Sequence, residues 1–186
     1  MAKRKVQTSD ILLNQQVTGP RLSPDGLKLL FARTSFNLKE DNAISVLCIS
    51  NPDGSDVREF AETAVYSRYQ WSPDGQSVAY LKLVEKQVQL YVASLAGGEP
   101  RQVSTDPVSD FAWAPDSSRL VLVRTLPDKT DQSAKEKNAP IEINNRLYKL
   151  DGIGLLIKRQ HLFVLNLDTG QEKQITRRSE EHTSEL

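Results

Sequence analysis

Cysteine is all but missing from this sequence. Cys48 stands alone, which excludes an internal disulfide. It lies in the apolar run 44–49, where a buried strand thiol is expected rather than a nucleophile. Long hydrophobic runs are missing too, and no stretch approaches the roughly 20 apolar residues of a membrane-spanning helix. Charge of one sign is not in excess: Lys+Arg and Asp+Glu both number 24. A main partner of nucleic acid or anionic membrane would call for a basic surplus, so neither is expected. The start, Met1-Ala2-Lys3-Arg4-Lys5, has the basic character of a signal peptide but no apolar stretch behind it. A cytoplasmic location is the resulting expectation.

The inventory of reactive groups is equally thin. No Gly-x-Ser-x-Gly nucleophile elbow occurs. No His/Cys/Asp set has zinc spacing, and no Gly-x-x-x-x-Gly-Lys phosphate loop is present. Of the two histidines, His161 heads an expected strand, where a structural role is favoured, and His182 lies near the end of the chain. The sequence therefore gives no catalytic, metal or cofactor residues to name.

What the sequence does have is a repeat. Leu22-Ser23-Pro24-Asp25-Gly26, Trp71-Ser72-Pro73-Asp74-Gly75 and Trp113-Ala114-Pro115-Asp116-Ser117 align, with prolines 49 and 42 residues apart. Proline presets φ at the second turn position, Ser and Asp side chains bond nearby backbone, and Gly accepts a positive φ. An apolar residue precedes each turn and a β-rich run follows it, which is the pattern of a hairpin. Ser117 stands where Gly is usual and weakens the third turn. Each unit continues with a second apolar run (44–49, 88–92, 162–165), a turn, and a short polar strand (57–60, 101–104, 173–176).

Four strands in a meander make one propeller blade. The expected fold is all-β: a partial, unclosed β-propeller of about three four-stranded antiparallel blades, TolB-like or WD-like. The blades span 17–62, 63–105 and 106–176. The third carries a mobile insertion at 125–145, and residues 1–16 precede the first, with Ser9 or Asp10 capping a short helix through Gln16. Propellers close with four to eight blades, so three leave an open face at each end. Asp25, Asp74 and Asp116 read as turn residues rather than calcium ligands. Trp71 and Trp113, in register with Leu22, read as packing between blades rather than ligand stacking.

The tandem turns resemble the propellers of the prolyl oligopeptidase family of serine peptidases, and also those of TolB-like periplasmic proteins. Residues 146–154 and 161–170 resemble blade three of the acylaminoacyl-peptidase and dipeptidyl-peptidase branch, and residues 9–12 and 19–26 are similar to its N-terminus. The resemblance implies a C-terminal α/β-hydrolase domain with a Ser-Asp-His triad, absent from this sequence. It also implies a propeller that gates short or N-terminally blocked peptides. The partners implied are that hydrolase domain, the remaining blades and a peptide substrate. The alternative is a non-enzymatic, TolB-like binding or scaffold propeller. Arg146, Tyr148 and Asp151 are the best candidates for a substrate-channel cluster; a structural network holding the blade-three loop is the other reading. Residues 178–186, Arg-Ser-Glu-Glu-His-Thr-Ser-Glu-Leu, resemble the translation of a common short-read sequencing adapter. Residues 177–186 are accordingly expected to be a non-native tail, which takes His182 out of consideration.

Overall fold

The computed structural model describes residues 5, 7, 10, 14–37, 39, 41–127, 149–150, 154–155 and 158–176. Among the described residues, three four-stranded antiparallel sheets and a two-stranded ribbon make up the fold, and the sheets do not close a ring. The first contains β1 (Gln16–Leu22), β2 (Leu29–Asn37), β3 (Asn42–Ser50) and β4 (Arg58–Glu59) in that order. The second contains β5 (Tyr66–Trp71), β6 (Ser77–Val84), β7 (Gln87–Ser94) and β8 (Arg101–Gln102). The third begins with β9 (Asp110–Trp113) and β10 (Arg119–Pro127). After a two-stranded ribbon of β11 (Lys149–Leu150) and β12 (Gly154–Leu155), it resumes with β13 (Lys158–Asn166) and β14 (Glu172–Gln174). Each sheet is a meander of neighbouring strands, which is the expected blade. Among the described residues, no helix is long and apolar enough to cross a membrane.

Two details depart from the sequence reading. Gln16, placed at the end of a short helix, instead opens β1. Of the residues before it, Asp10 forms a single local turn, its N–H donating to Gln7 O at 2.9 Å. The expected insertion at 125–145 begins too early, because β10 and β13 pair continuously from Arg119↔Asn166 to Pro127↔Lys158. Lys158, Arg159, Gln160 and His161 are polar, so they carry no apolar strand signal. Backbone pairing extends the hairpin there. The expected insertion from 128 to 145 and the expected tail at 177–186 lie outside the described residues.

The repeated turns are built alike. The fourth residue of each turn donates its N–H back to the first: Gly26 to Ser23 O and Gly75 to Ser72 O at 2.9 Å, Ser117 to Ala114 O at 3.0 Å. The aspartate then folds over the turn. Asp25 Oδ1 accepts from Ser23 Oγ at 2.6 Å and from Leu27 N at 3.0 Å. Asp74 Oδ1 does the same with Ser72 Oγ and Gln76 N. The third turn lacks the serine, and Asp116 takes Ser118 N and the Arg119 guanidinium instead. Ser117 holds φ at +58°, where glycine is usual. Its hydroxyl accepts the Asp74 N–H at 3.1 Å, so the side chain that strains its own turn also ties it to the preceding blade.

These bonds favour the charged aspartates and make stability depend on pH. Serine and backbone donors hold Asp25, Asp53 and Asp74 below the ordinary 3.8, and Arg119 with Ser118 does the same for Asp116. A carboxyl depressed in the folded state adds stability above its unfolded value and loses it as pH falls through the folded value. The urea midpoint is therefore expected to fall as pH drops below 3.8. In an Asp25→Asn/Asp74→Asn/Asp116→Asn variant that fall should be shallower. An unchanged slope in the triple variant would place the acid sensitivity elsewhere.

The core lies between sheets. One cluster joins Leu30, Ala32, Leu47 and Ile49 of the first sheet to Trp71, Val78, Tyr80 and Ala93 of the second. The other joins Ala79, Leu81 and Leu90 of the second to Phe111, Leu120, Leu122 and Leu165 of the third. Period-two alternation produces this: Val78 and Tyr80 face one neighbour, Ala79 and Leu81 the other. Cys48 is fully buried, and that burial pushes its thiol up, away from reactivity.

Candidate functional site

The inner strands β1, β5 and β9 carry the residues that join blade to blade and line the open grooves. Trp71, only 6% exposed, donates its indole N–H to Arg21 O at 3.0 Å. Trp113 makes the same bond to Gln70 O at 3.3 Å. Both tryptophans therefore hold seams between blades, as packing would require.

A second seam bond belongs to Tyr69. Its hydroxyl lies 2.8 Å from Thr18 O and 2.9 Å from Gly19 O, and accepts from Ala32 N at 3.2 Å. The β1 ladder is irregular between Thr18 and Arg21, which turns these carbonyls toward the neighbouring blade. Gly19 sits at φ +60°, and a Cβ there would lie 2.3 Å from the Tyr69 hydroxyl. Only glycine leaves room for that oxygen.

The groove at this seam has a volume of about 790 Å3. Its wall is rich in hydroxyls and contains two cations, Arg21 and Arg68. A smaller groove of about 380 Å3 shares Ser67 and Arg68 and opens between the second and third blades. Arg68 is fixed between the two by Asp110 at 2.7 Å, with its guanidinium 5.7 Å from the Phe111 ring centre. The hydroxyls of the larger groove are not set up as nucleophiles. Thr34 and Ser45 bond each other at 2.8 Å. Tyr66 donates to Glu62 O, and burial pushes its phenol up; burial does the same to Tyr69. No Asp, Glu, His or Cys is among the described residues lining this groove, so none of them can take a proton from a hydroxyl. What the wall can do is bind, through hydrogen bonds and two guanidinium groups.

A third polar cluster was not foreseen. Arg124 is 7% exposed. It reaches Asp106 at 3.0 Å, Ser104 Oγ at 2.7 Å and Glu172 at 2.7 Å, and lies 5.3 Å from the Phe163 ring centre. It thereby fastens the segment between the second and third blades to β10 and β14. The signal for it was present, since Arg124 follows Leu120 and Leu122 in the same alternating phase. His161 is also structural, with Nδ1 3.0 Å from Thr176 O. Arg146, Tyr148 and Asp151, the candidates named from sequence, lie outside the described residues.

No family model matches the chain. It is 27% identical over 190 residues to the uncharacterized peptidase YuxL of Bacillus subtilis, an alignment covering 97% of this chain. It is 26% identical over 147 residues to dipeptidyl-peptidase 5 of Porphyromonas endodontalis, covering 76% of this chain. Its relatives are peptidases. Acylaminoacyl peptidase of Pyrococcus horikoshii superposes on 90% of the chain with a TM-score of 0.70 and 18% identity. At that identity the likeness establishes the fold, and the three sheets are propeller blades. The chain spans 29% of the length of the first relative, 21% of the second and 26% of the solved structure.

Proposed function

We propose that this chain is the propeller part of a longer serine peptidase of the prolyl oligopeptidase family. In that protein further blades complete the ring, a C-terminal α/β-hydrolase domain carries the chemistry, and the propeller gates short or N-terminally blocked peptides. The observation that carries the reading is the alignment with a peptidase over 97% of this chain but 29% of the relative. The groove chemistry supports the division of labour. Hydroxyls and guanidinium groups on the inner strands suit passage or binding of a peptide, and the larger groove supplies no described base. The chain itself is non-catalytic on this reading, and a cytoplasmic location belongs to the same proposal.

The test compares the purified chain with its full parent polypeptide on N-acetylalanyl and dipeptidyl p-nitroanilides. The chain alone is expected to release no nitroaniline above buffer. The parent is expected to release it, and a serine-directed inhibitor should abolish the release. Inhibitor-sensitive release by the chain alone would overturn its non-catalytic assignment. A parent inactive on both substrate types would overturn the substrate class and favour a TolB-like binding propeller.

A further inference from the structure

We infer that the larger groove, between the first and second blades, takes a peptide carboxylate, and that Arg21 is the residue that selects it. The ligand class rests on the peptide part of the reading above. The groove's preference for an anion does not require the parent to be a peptidase.

Charge is distributed unevenly along the inner strands. The wall of the larger groove holds Arg21 and Arg68 and, among the described residues, no acidic side chain. The smaller groove holds Arg68 together with Asp110, and the two offset each other. Glu62, whose carbonyl accepts from Tyr66, has its carboxylate tied to Lys82. The positive wall is therefore not cancelled from its surroundings. Arg68 meets both Asp110 oxygens through Nη1 alone, at 2.7 and 3.0 Å. Arg21 is exposed, and no described group accepts from its guanidinium; only its main-chain carbonyl is engaged, by Trp71.

The backbone is irregular at this groove and regular beyond it. From Thr18 to Arg21, β1 takes three steps against two on β2, and from Tyr66 to Arg68, β5 takes two against one on β6. The third inner strand, β9, pairs with β10 without a shift. An extra residue of this kind bends a strand, re-aims its side chains and is common beside functional sites. Arg21, Ser67 and Arg68 sit within the two irregular stretches, and all three line the groove.

The same wall supplies a second demand. Gln70 Oε1 is buried there, and no described group donates to it. A planar guanidinium fork matches a carboxylate. A buried acceptor without a donor calls for an N–H from the ligand. Together they fit a carboxylate joined to an amide, which a peptide has and a simple anion such as acetate lacks. The carboxylate can belong to an acidic side chain or to a free C-terminus.

The test titrates the full chain with acetyl-Ala-Glu-Ala-amide, its glutamine analogue, and acetyl-Ala-Ala-Ala ending in a free carboxylate. Amide NMR signals of Gly19, Ser67 and Gln70 report on the groove. At least one acid is expected to bind about fivefold tighter than the glutamine analogue, the worth of one partly exposed ion pair. The acid that gains the advantage names the source of the carboxylate. In Arg21→Gln the advantage should vanish while the urea midpoint stays, because the seam uses only the main chain of Arg21. In Asp110→Asn it should not fall, because Arg68 is released toward the groove. Equal binding of acid and amide, an advantage that survives Arg21→Gln, or no binding of any peptide would overturn the inference. Acetate or inorganic phosphate binding as tightly as the acidic peptides would overturn the ligand class. Hydrolysis by the parent is measured separately. A parent active on the nitroanilides with no acid preference in this groove sinks the inference alone, and an inactive parent with an acid-selective groove sinks the peptidase reading alone.

Discussion

Replacing Gly19 with alanine is expected to destabilise the chain by about 3 kcal/mol, from left-handed backbone and lost hydrogen bonds together. The new methyl would start 2.3 Å from the Tyr69 hydroxyl and 3.1 Å from its Cζ. A long flexible side chain would swing away, but a phenol ring has only two torsions. Tyr69 is also pinned against Thr18 O, Gly19 O and Ala32 N. The phenol has one proton, shared between the Thr18 and Gly19 carbonyls, and accepts one N–H, so moving it gives up bonds worth together about 1–2 kcal/mol net. A non-glycine residue at φ +60° costs a further 1–2 kcal/mol, roughly, from its Cβ against the backbone. The pair should be non-additive. In a Tyr69→Phe background, where the hydroxyl is gone, Gly19→Ala should cost about 1 kcal/mol less than in the parent chain. Urea denaturation of the four proteins measures this. Full additivity would mean that the hydroxyl and the glycine do not depend on each other.

Arg124→Met should cost a similar amount, about 3 kcal/mol, because it strips the partner from a half-buried carboxylate and leaves the volume filled. Arg124 holds Glu172 at 2.7 Å and Asp106 at 3.0 Å, and its own side chain is 8% exposed. Asp106 is open to water and can be solvated again, whereas Glu172 is far less exposed. Burial pushes the Glu172 carboxyl above its ordinary 4.5 even against the pull of Arg124. A carboxyl raised in the folded state contributes stability below its unfolded value and loses it as pH rises through the folded value. Removing Arg124 widens that gap. The Arg124→Met loss is therefore expected to be larger at pH 7 than at pH 4, where Glu172 gains its proton. Arg124→Lys should rescue only part of it, since an ammonium lacks the fork that meets Asp106, Ser104 and Glu172 together. A loss independent of pH would assign Arg124 to packing against Phe163 instead.

The pH behaviour of Glu172 runs opposite to that of the turn aspartates. Those carboxylates are exposed and depressed by donors in their own turns, so acid weakens them. Glu172 is raised by burial, so acid relieves it.

The blades were legible in the sequence because their chemistry is local and repeated. A proline and an aspartate followed by glycine, or once by Ser117, specify a turn within five residues, and three occurrences at similar spacing specify an array. The tryptophans carried part of the seam as well, since they recur in register. What sequence could not provide is everything that occurs once and across blades. Tyr69 meets Gly19 from 50 residues away, and among the described residues no second tyrosine repeats the arrangement. Ser117 departs from the turn pattern and looked only like a weakness, because its partner, Asp74 N, lies in another blade. The far end of the β10–β13 hairpin reads as loop from sequence, because Lys158, Arg159 and Gln160 opposite it carry no apolar alternation. Arg124 is the one feature that periodicity alone could have exposed. A charge in the inward phase of a strand has to find partners, and the strand named the side on which to look.

What the gene encodes beyond Arg177 decides whether these blades belong to a longer peptidase. Reading the parent locus past the codon for Arg177, from a primer within the second blade, tests it directly. The frame is expected to continue through further Ser-Pro-Asp-Gly turns, the first preceded by tryptophan, and to reach a Gly-x-Ser-x-Gly strand–turn–helix. A genomic frame that encodes Arg178 to Leu186 and then stops would contradict a longer peptidase and leave a three-blade binding module in its place.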